Sequence, residues 1–391
     1  MRHVLMRHVL MQHVVAVLFA TLGAALPWAA LACDIEHPSG HPPCTRAAID
    51  ALPMNAVQAI GTHNSYKLAI PPDELAAHRG VDADGADGLD YAHPPLAAQL
   101  DAGLRTLELD VYHDPNGGRY LTPPGAHRRG FAASPWSHDD LVHMRAPGFK
   151  VMHLQDIDFR SNCVTFVQCL QQVRDWSRAH PEHVPIMISV NAKDGAGGPG
   201  ATPALPFDSA VFDALDAELR SVLPPARLFE PSELRGPYDT LRDAVRADGW
   251  PSLGTLRGQV FVVLDEGPEK RAIYRTRRAA PAMFVASDRM EDDGAILVLN
   301  DPVAQRAAIA GALAAGALVR TRADADTREA RANDTHRRDA AFDSGAQFIS
   351  TDYPTADARW PRYRVEFPEG GFVRCHPAHA ACAVFKEKTG D

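Results

Sequence analysis

The chain has 391 residues, a formal net charge of −9, and 46% hydrophobic and 23% charged residues. That length allows two average domains or one large barrel. The acidic balance argues against nucleic acid as a partner and against a strong electrostatic hold on anionic membranes, so that contact with lipid is expected to be local or transient.

Residues 1–32 read as a targeting segment. Arg2 and Arg7 give a positive start, Val14 to Leu31 an apolar stretch, and Ala30-Leu31-Ala32 a small-residue cleavage site. Cleavage removes the charges of Arg2 and Arg7, taking −9 to −11, and implies a secreted or periplasmic protein. An uncleaved anchor and a lipid on Cys33 are the competing readings. No other apolar run is long enough to span a bilayer, so no stable membrane insertion is expected. Six cysteines follow as three near neighbours, Cys33 with Cys44, Cys163 with Cys169 and Cys375 with Cys382. In an exported chain this spacing reads as three short-loop disulfides, the connectivity left open, and a zinc cluster lacks its paired spacing. Pairing of Cys33 with Cys44 would remove the lipid site.

Residues 33–55 form an N-terminal extension, and from 56 to 358 short β-rich runs alternate with amphipathic stretches. Strands are expected at Val57–Thr62, Thr106–Tyr112, Val151–Leu154, Pro185–Val190, Val260–Leu264, Met283–Ala286, Leu318–Thr321 and Gln347–Ser350. Helices are expected at Leu96–Leu104, Cys163–His180, Asp208–Leu223, Tyr238–Asp248, Pro302–Ala315 and Thr327–Ser344, several of them preceded by Ser, Asp or Pro. Eight strands alternating with helices imply an α/β fold, a closed TIM-type (β/α)8 barrel. The alternative, an open doubly wound sheet, lacks its Gly-x-Gly-x-x-Gly turn here. Three long segments, Pro71–Pro95, Asp114–Phe149 and Asp194–Phe207, each follow a strand and therefore belong to the rim that shapes a substrate pocket. Residues 359–391, closed by Cys375 and Cys382, read as a capping extension.

A barrel of this kind carries its chemistry at the carboxyl ends of its strands. There the polar residues gather: His63 and Asn64, then Glu108 and Asp110, then His153 with Asp156 and Asp158, Asn191 and Lys193, Asp265 and Glu266, Arg320 and Arg322, and Asp352. Glu108 and Asp110 are two apart on a strand and so point to one side. Two buried carboxylates need a cation. A divalent metal with oxygen ligands suits calcium or magnesium; the plainer solution is an ion pair of one carboxylate with Arg105 or Lys193. His63 and His153, each ending a strand at one rim, form a candidate proton-transfer pair. No Gly-x-Ser-x-Gly elbow is present, and Ser65 reads as a turn residue.

Five stretches carry a family resemblance: Ile60-Gly61-Thr62-His63-Asn64-Ser65-Tyr66, Leu107-Glu108-Leu109-Asp110-Val111, residues 151–158 (VMHLQDID), residues 320–327 (RTRADADT) and Ser350-Thr351-Asp352-Tyr353-Pro354. In this order, between Val57 and Pro377, they resemble the bacterial calcium-dependent phosphoinositide phospholipases C, within the barrel phosphodiesterases that also include glycerophosphodiester phosphodiesterases. The resemblance implies His63 as general base on the inositol 2-hydroxyl and His153 as the second histidine, at the transition state and leaving group. It implies Asn64, Glu108, Asp110 and the position of Asn191 as calcium ligands, with magnesium as the other candidate, and Lys193, Arg322 and Asp352 as substrate-binding residues. The implied substrate is a phosphatidylinositol-type lipid at a membrane surface, and the products are diacylglycerol and an inositol 1,2-cyclic phosphate. One departure stands out: Val190-Asn191-Ala192-Lys193 has an amide where the family pattern has a glutamate. Loss of that negative charge implies weaker or altered metal binding. Two other functions are open to the sequence: a glycerophosphodiester-type hydrolase in which water attacks, and a barrel that has lost catalysis and binds lipid head groups.

Overall fold

The structure, a computed structural model, describes residues 33–124, 136–197, 201–289 and 294–385. Residues 1–32, read above as a targeting segment, lie outside the described residues, as do parts of the long stretches 114–149 and 194–207 and the end of the tail.

Ten strands form one sheet: β1 (Val57–Thr62), β2 (Thr106–Asp114), β3 (Gly148–Val151), β4 (Ile186–Ala192), β5 (Val260–Leu264), β6 (Phe284–Ser287), β7 (Ile296–Val298), β8 (Leu318–Arg322), β9 (Phe348–Thr351) and β10 (Val373–Cys375). Eight of them pair in parallel in the order β1-β9-β8-β7-β6-β5-β4-β2, and β1 meets β2 to close the ring. The expected (β/α)8 barrel is present, with one strand exchanged. The run expected as the third barrel strand, Val151–Leu154, is only the end of β3, which pairs antiparallel with β2 (Val111 with Val151). Its place in the ring is taken by β7, whose three residues are too few for a periodicity to register.

The seam between β1 and β2 is a single register pair, Gly61 with Thr106. A Cβ at Gly61 would stand 1.8 Å from the Thr106 carbonyl oxygen, so closure at this point requires glycine. On either side of the pair, β10 lies antiparallel against the start of β1 and β3 against the end of β2.

Alternation sorts the side chains. On β2, Leu107, Leu109 and Val111 join Phe166, Leu170 and Val173 of the helix Phe166–Ala179 in the outer core. Glu108 and Asp110 therefore turn into the barrel. The lower interior is apolar, with Ala59, Met187, Phe261, Phe284, Leu318 and Phe348 in one cluster. Below it the N-terminal extension and the tail share a further apolar cluster that includes Ile35, Ile49, Leu52, Val57, Val184 and Cys382. Disulfides Cys33–Cys44, Cys163–Cys169 and Cys375–Cys382 are all formed. The expected helix Thr327–Ser344 is two helices, Arg328–Ala332 and His336–Asp343, parted where Asn333 takes a left-handed φ of 52°. Among the described residues no helix is long and apolar enough to cross a membrane.

Candidate active site

β1 delivers His63 and Asn64 to the mouth of the barrel, and the turn that follows is fastened to β2. The Ser65 amide donates to the Glu108 carbonyl, and the Glu108 amide donates back to Ser65 Oγ at 2.8 Å. Ser65 is a buried turn residue, as its position implied. Asn64, at φ 47° and 1% exposed, gives its amide to the Tyr91 hydroxyl at 2.9 Å and accepts from the Tyr66 hydroxyl at 3.3 Å.

The structure brings both histidines to one cavity of about 840 Å³, whose lining also includes Arg322, Asp352, Asp82, Asp87 and Arg331. His63 Nδ1 lies 2.8 Å from Asp352 Oδ1, while Nε2 lies 3.3 Å from Arg322 Nη1 and 3.6 Å from Glu108 Oε1. Burial, and next the Arg322 guanidinium, hold the His63 imidazole well below its ordinary range, so it is neutral at pH 7. With Nδ1–H donated to Asp352, Nε2 keeps a lone pair facing the cavity. His153 stands just past β3, with Nδ1 2.9 Å from Asp158 Oδ2. The two rings share one plan: a buried carboxylate holds Nδ1.

Asp352, expected at the substrate, is the His63 partner, and Arg322 Nη2 approaches its second oxygen at 3.3 Å. Lys193 Nζ lies 2.9 Å from Asp110 Oδ2. Burial pulls that ammonium down, but Asp110 outweighs it and holds the lysine above its ordinary range. Arg105, weighed as another partner for the mouth carboxylates, lies at the base and binds Glu36. The partner of Glu108 is Arg320 on β8, which sequence reasoning did not pair with it. Burial pushes the Glu108 carboxyl up, yet Arg320, then His63 and Arg322, outweigh it and leave it below the usual carboxylate range.

Asn191 Nδ2 stands 3.5 Å from Glu108 Oε1. Apart from the Lys193 ion pair, both Asp110 oxygens are buried without a hydrogen-bond donor. Carboxylate oxygens left in that condition, with Asn191 level with Asp110 across β2 and β4 and Asn64 at the same mouth, offer the oxygen chemistry that fits a hard divalent cation. Among the described residues no three His, Cys, Asp or Glu side chains are arranged to hold a metal, so such a cation depends on the two asparagines.

Sequence reasoning also passed over Tyr91, whose hydroxyl lies 3.1 Å from His63 Nδ1, and His93, whose Nε2 lies 2.9 Å from the His63 carbonyl oxygen. Burial lowers His93 to about 4, so it is neutral and Nε2–H donates. Both sit in the short connection between the helices Ala83–Gly88 and Leu96–Asp101, which has no periodicity to give a signal for them.

The geometry can be set beside known proteins. A model of the family described as calcium-dependent phosphoinositide phospholipase C matches residues 52–377. Among solved structures, the calcium-dependent phosphoinositol-specific phospholipase C from Pseudomonas sp. (apo form, myo-inositol complex) is 16% identical over 83% of this chain and 96% of its own, with a TM-score of 0.51. A second crystal form of the apo enzyme gives 15%, 83%, 95% and 0.51. The calcium-dependent phosphatidylinositol-specific enzyme of Streptomyces antibioticus is 19% identical over 77% of this chain and 95% of its own, at 0.47. No curated protein sequence matches. At these identities the Pseudomonas structures establish the barrel alone, whereas the family match spans most of the chain: the protein belongs to the calcium-dependent phosphoinositide phospholipase C family, whose enzymes are phosphoric diester hydrolases.

Proposed function

We propose that the protein is an exported phospholipase C that cleaves phosphatidylinositol-type lipids at a membrane surface to diacylglycerol and an inositol 1,2-cyclic phosphate. The observation that carries the reading is the pair of imidazoles in one cavity, each with Nδ1 held by a buried carboxylate. His63, neutral, takes the proton of the inositol 2-hydroxyl on Nε2 as that oxygen bonds to phosphorus. The bond from phosphorus to the diacylglycerol oxygen breaks, and His153 gives that oxygen its proton. Asp352 positions His63, and Arg322 and Lys193 meet the phosphate and the inositol hydroxyls. Asn64, Glu108, Asp110 and Asn191 would hold calcium, which when bound would supply positive charge against the charge that develops at the transition state. Residues 1–32 as a cleaved leader, the barrel at 56–358 and the disulfide-closed extensions at 33–55 and 359–391 suit a secreted or periplasmic enzyme.

The test is a panel of inositol lipids and glycerophosphodiesters assayed with calcium, with magnesium and with chelator, the products read by phosphorus NMR. A cyclic phosphate from the lipids, lost in chelator, is the expected result. Monoesters alone would point to attack by water on a glycerophosphodiester.

A further inference from the structure

We propose that Lys67 is a positioning residue that seats both histidines, an inference that rests on the roles given to His63 and His153 above. Lys67 follows the turn that carries His63, in a stretch where a lysine ordinarily reaches for water. Here its side chain turns inward and the residue is 0% exposed. A buried ammonium survives only when it is paired and hydrogen-bonded.

Three connections leave this residue. Through Nζ it lies 3.1 Å from Asp158 Oδ1, and the other Asp158 oxygen is the one that holds His153 Nδ1 at 2.9 Å. The same Nζ donates to the Tyr91 carbonyl at 2.9 Å and lies 4.8 Å from the centre of the Tyr91 ring, whose hydroxyl reaches His63 Nδ1. Finally, the Lys67 carbonyl accepts from the His93 amide at 2.9 Å, and His93 Nε2 donates to the His63 carbonyl. The backbone adds a staple between the two loops: Asn162 N donates to the Tyr66 carbonyl and Leu68 N to the Arg160 carbonyl, with Lys67 bridged to Ser161 between them.

The His63 loop and the His153 loop thus meet at one cation, and the charge has a task that packing alone does not. The Asp158 side chain is fully buried, and among the described residues its ion-pair partners are Lys67 and His153, so with Lys67 gone the imidazole it is meant to orient is the partner left. His153 would then lose the fixed acceptor that keeps Nδ1–H pointing inward and Nε2 facing substrate.

The experiment is a double-mutant cycle on the full mature protein, using Lys67→Met, Asp158→Asn and the pair together, read by steady-state kinetics and by the NMR signal of the His153 Nδ1 proton. Lys67→Met is expected to lower kcat about a hundredfold, the scale of a misplaced catalytic group, with KM little changed and the Nδ1 proton signal lost. In the pair, an uncharged amide needs no cation and still accepts from Nδ1–H. The pair is therefore expected to fold, to recover the proton signal and to be more active than Lys67→Met alone. Independent, additive losses would overturn the proposal, as would an unchanged kcat and proton signal in Lys67→Met. His153→Ala separates this failure from a broader one: if it is inactive while Lys67→Met is not, only the role of Lys67 falls, and if it keeps full turnover the acid/base reading falls first. Should Lys67→Met alone not fold, the pair set against Asp158→Asn carries the test, and an effect of Lys67→Met as large in that background as the loss expected in the native one overturns the proposal.

Discussion

The mouth and the base of the barrel each bury an arginine against a glutamate, and they finish the job differently. At the base, Arg105 gives Nε and Nη2 to the two oxygens of Glu36 at 2.7 and 2.6 Å and Nη1 to the carbonyls of Leu100 and Leu104, while Glu36 also accepts from the Val184 amide. At the mouth, Arg320 meets Glu108 and Lys193 meets Asp110, but Arg320 Nε lacks a hydrogen-bond partner and, apart from the Lys193 ion pair, so do the Asp110 oxygens. A saturated buried pair stabilises one conformation, whereas unspent hydrogen-bonding capacity at a cavity is available to something that binds there. The base is built for folding, and the mouth keeps capacity that the proposed substrate and metal would use.

Substitutions in the two regions should therefore part activity from stability. His63→Ala is expected to lower turnover by about 10³-fold, the range of a general base, with the urea midpoint unmoved. Unchanged turnover of every phosphodiester tested would remove the catalytic assignment. Glu36→Ala, at the other end, leaves a buried guanidinium unpaired and is expected to lose roughly 3–5 kcal/mol in urea unfolding, with kcat preserved while the protein is folded. A loss of kcat without a loss of stability there would collapse the contrast.

What could be read in advance follows the same division. The strands and the inward pair Glu108 and Asp110 were legible because alternation and spacing are local, and His63 and His153 because both stand near strand ends. The partner of Glu108 was not, since Arg320 lies 212 residues away and only ring closure brings the two strands' interiors together. Lys67 and Tyr91 were hidden for another reason: nothing local tells a loop lysine that it will be buried. The three-residue β7 and the antiparallel β3 were misjudged because pairing partners, not sequence runs, decide which strand enters the ring.

Acid should strike both regions, and this tests whether the contrast is one of chemistry or only of place. His93 at the mouth and His183 at the base are both lowered by burial to about 4. Each folded-state value lies below the unfolded one near 6.5, so the unfolded chain binds the proton first. Stability is thus intact above about pH 6.5 and declines as pH falls towards 4, by up to about 3 kcal/mol for each group. Replacing either by Gln should flatten the decline in urea titrations between those limits by a similar amount. Only His93→Gln should also lower kcat, because His93 holds the His63 carbonyl while His183 stays within the base, donating Nδ1–H to the Val184 carbonyl and meeting Ser177 Oγ with Nε2.

The smallest effect is expected at Asn191, and it sharpens the mouth most. Asp110 aligns with Asn191 across β2 and β4, and the Asn191 amide reaches towards Glu108. Asn191→Glu adds a carboxylate beside Glu108 and Asp110, where Lys193 meets Asp110 and Arg320 is already shared between Glu108 and Asp265. Without metal that charge is uncompensated, so the apoprotein should lose stability. With metal it supplies the missing anionic oxygen, and calorimetry should show calcium binding tightened about tenfold, or about 1.4 kcal/mol, while Asn191→Ala weakens it. Thermal unfolding then gives an independent reading: calcium should raise the midpoint of Asn191→Glu more than that of the natural chain. Equal calcium affinity in all three proteins would remove Asn191 from the ligand set and leave the amide as a hydrogen-bonding neighbour of Glu108 alone.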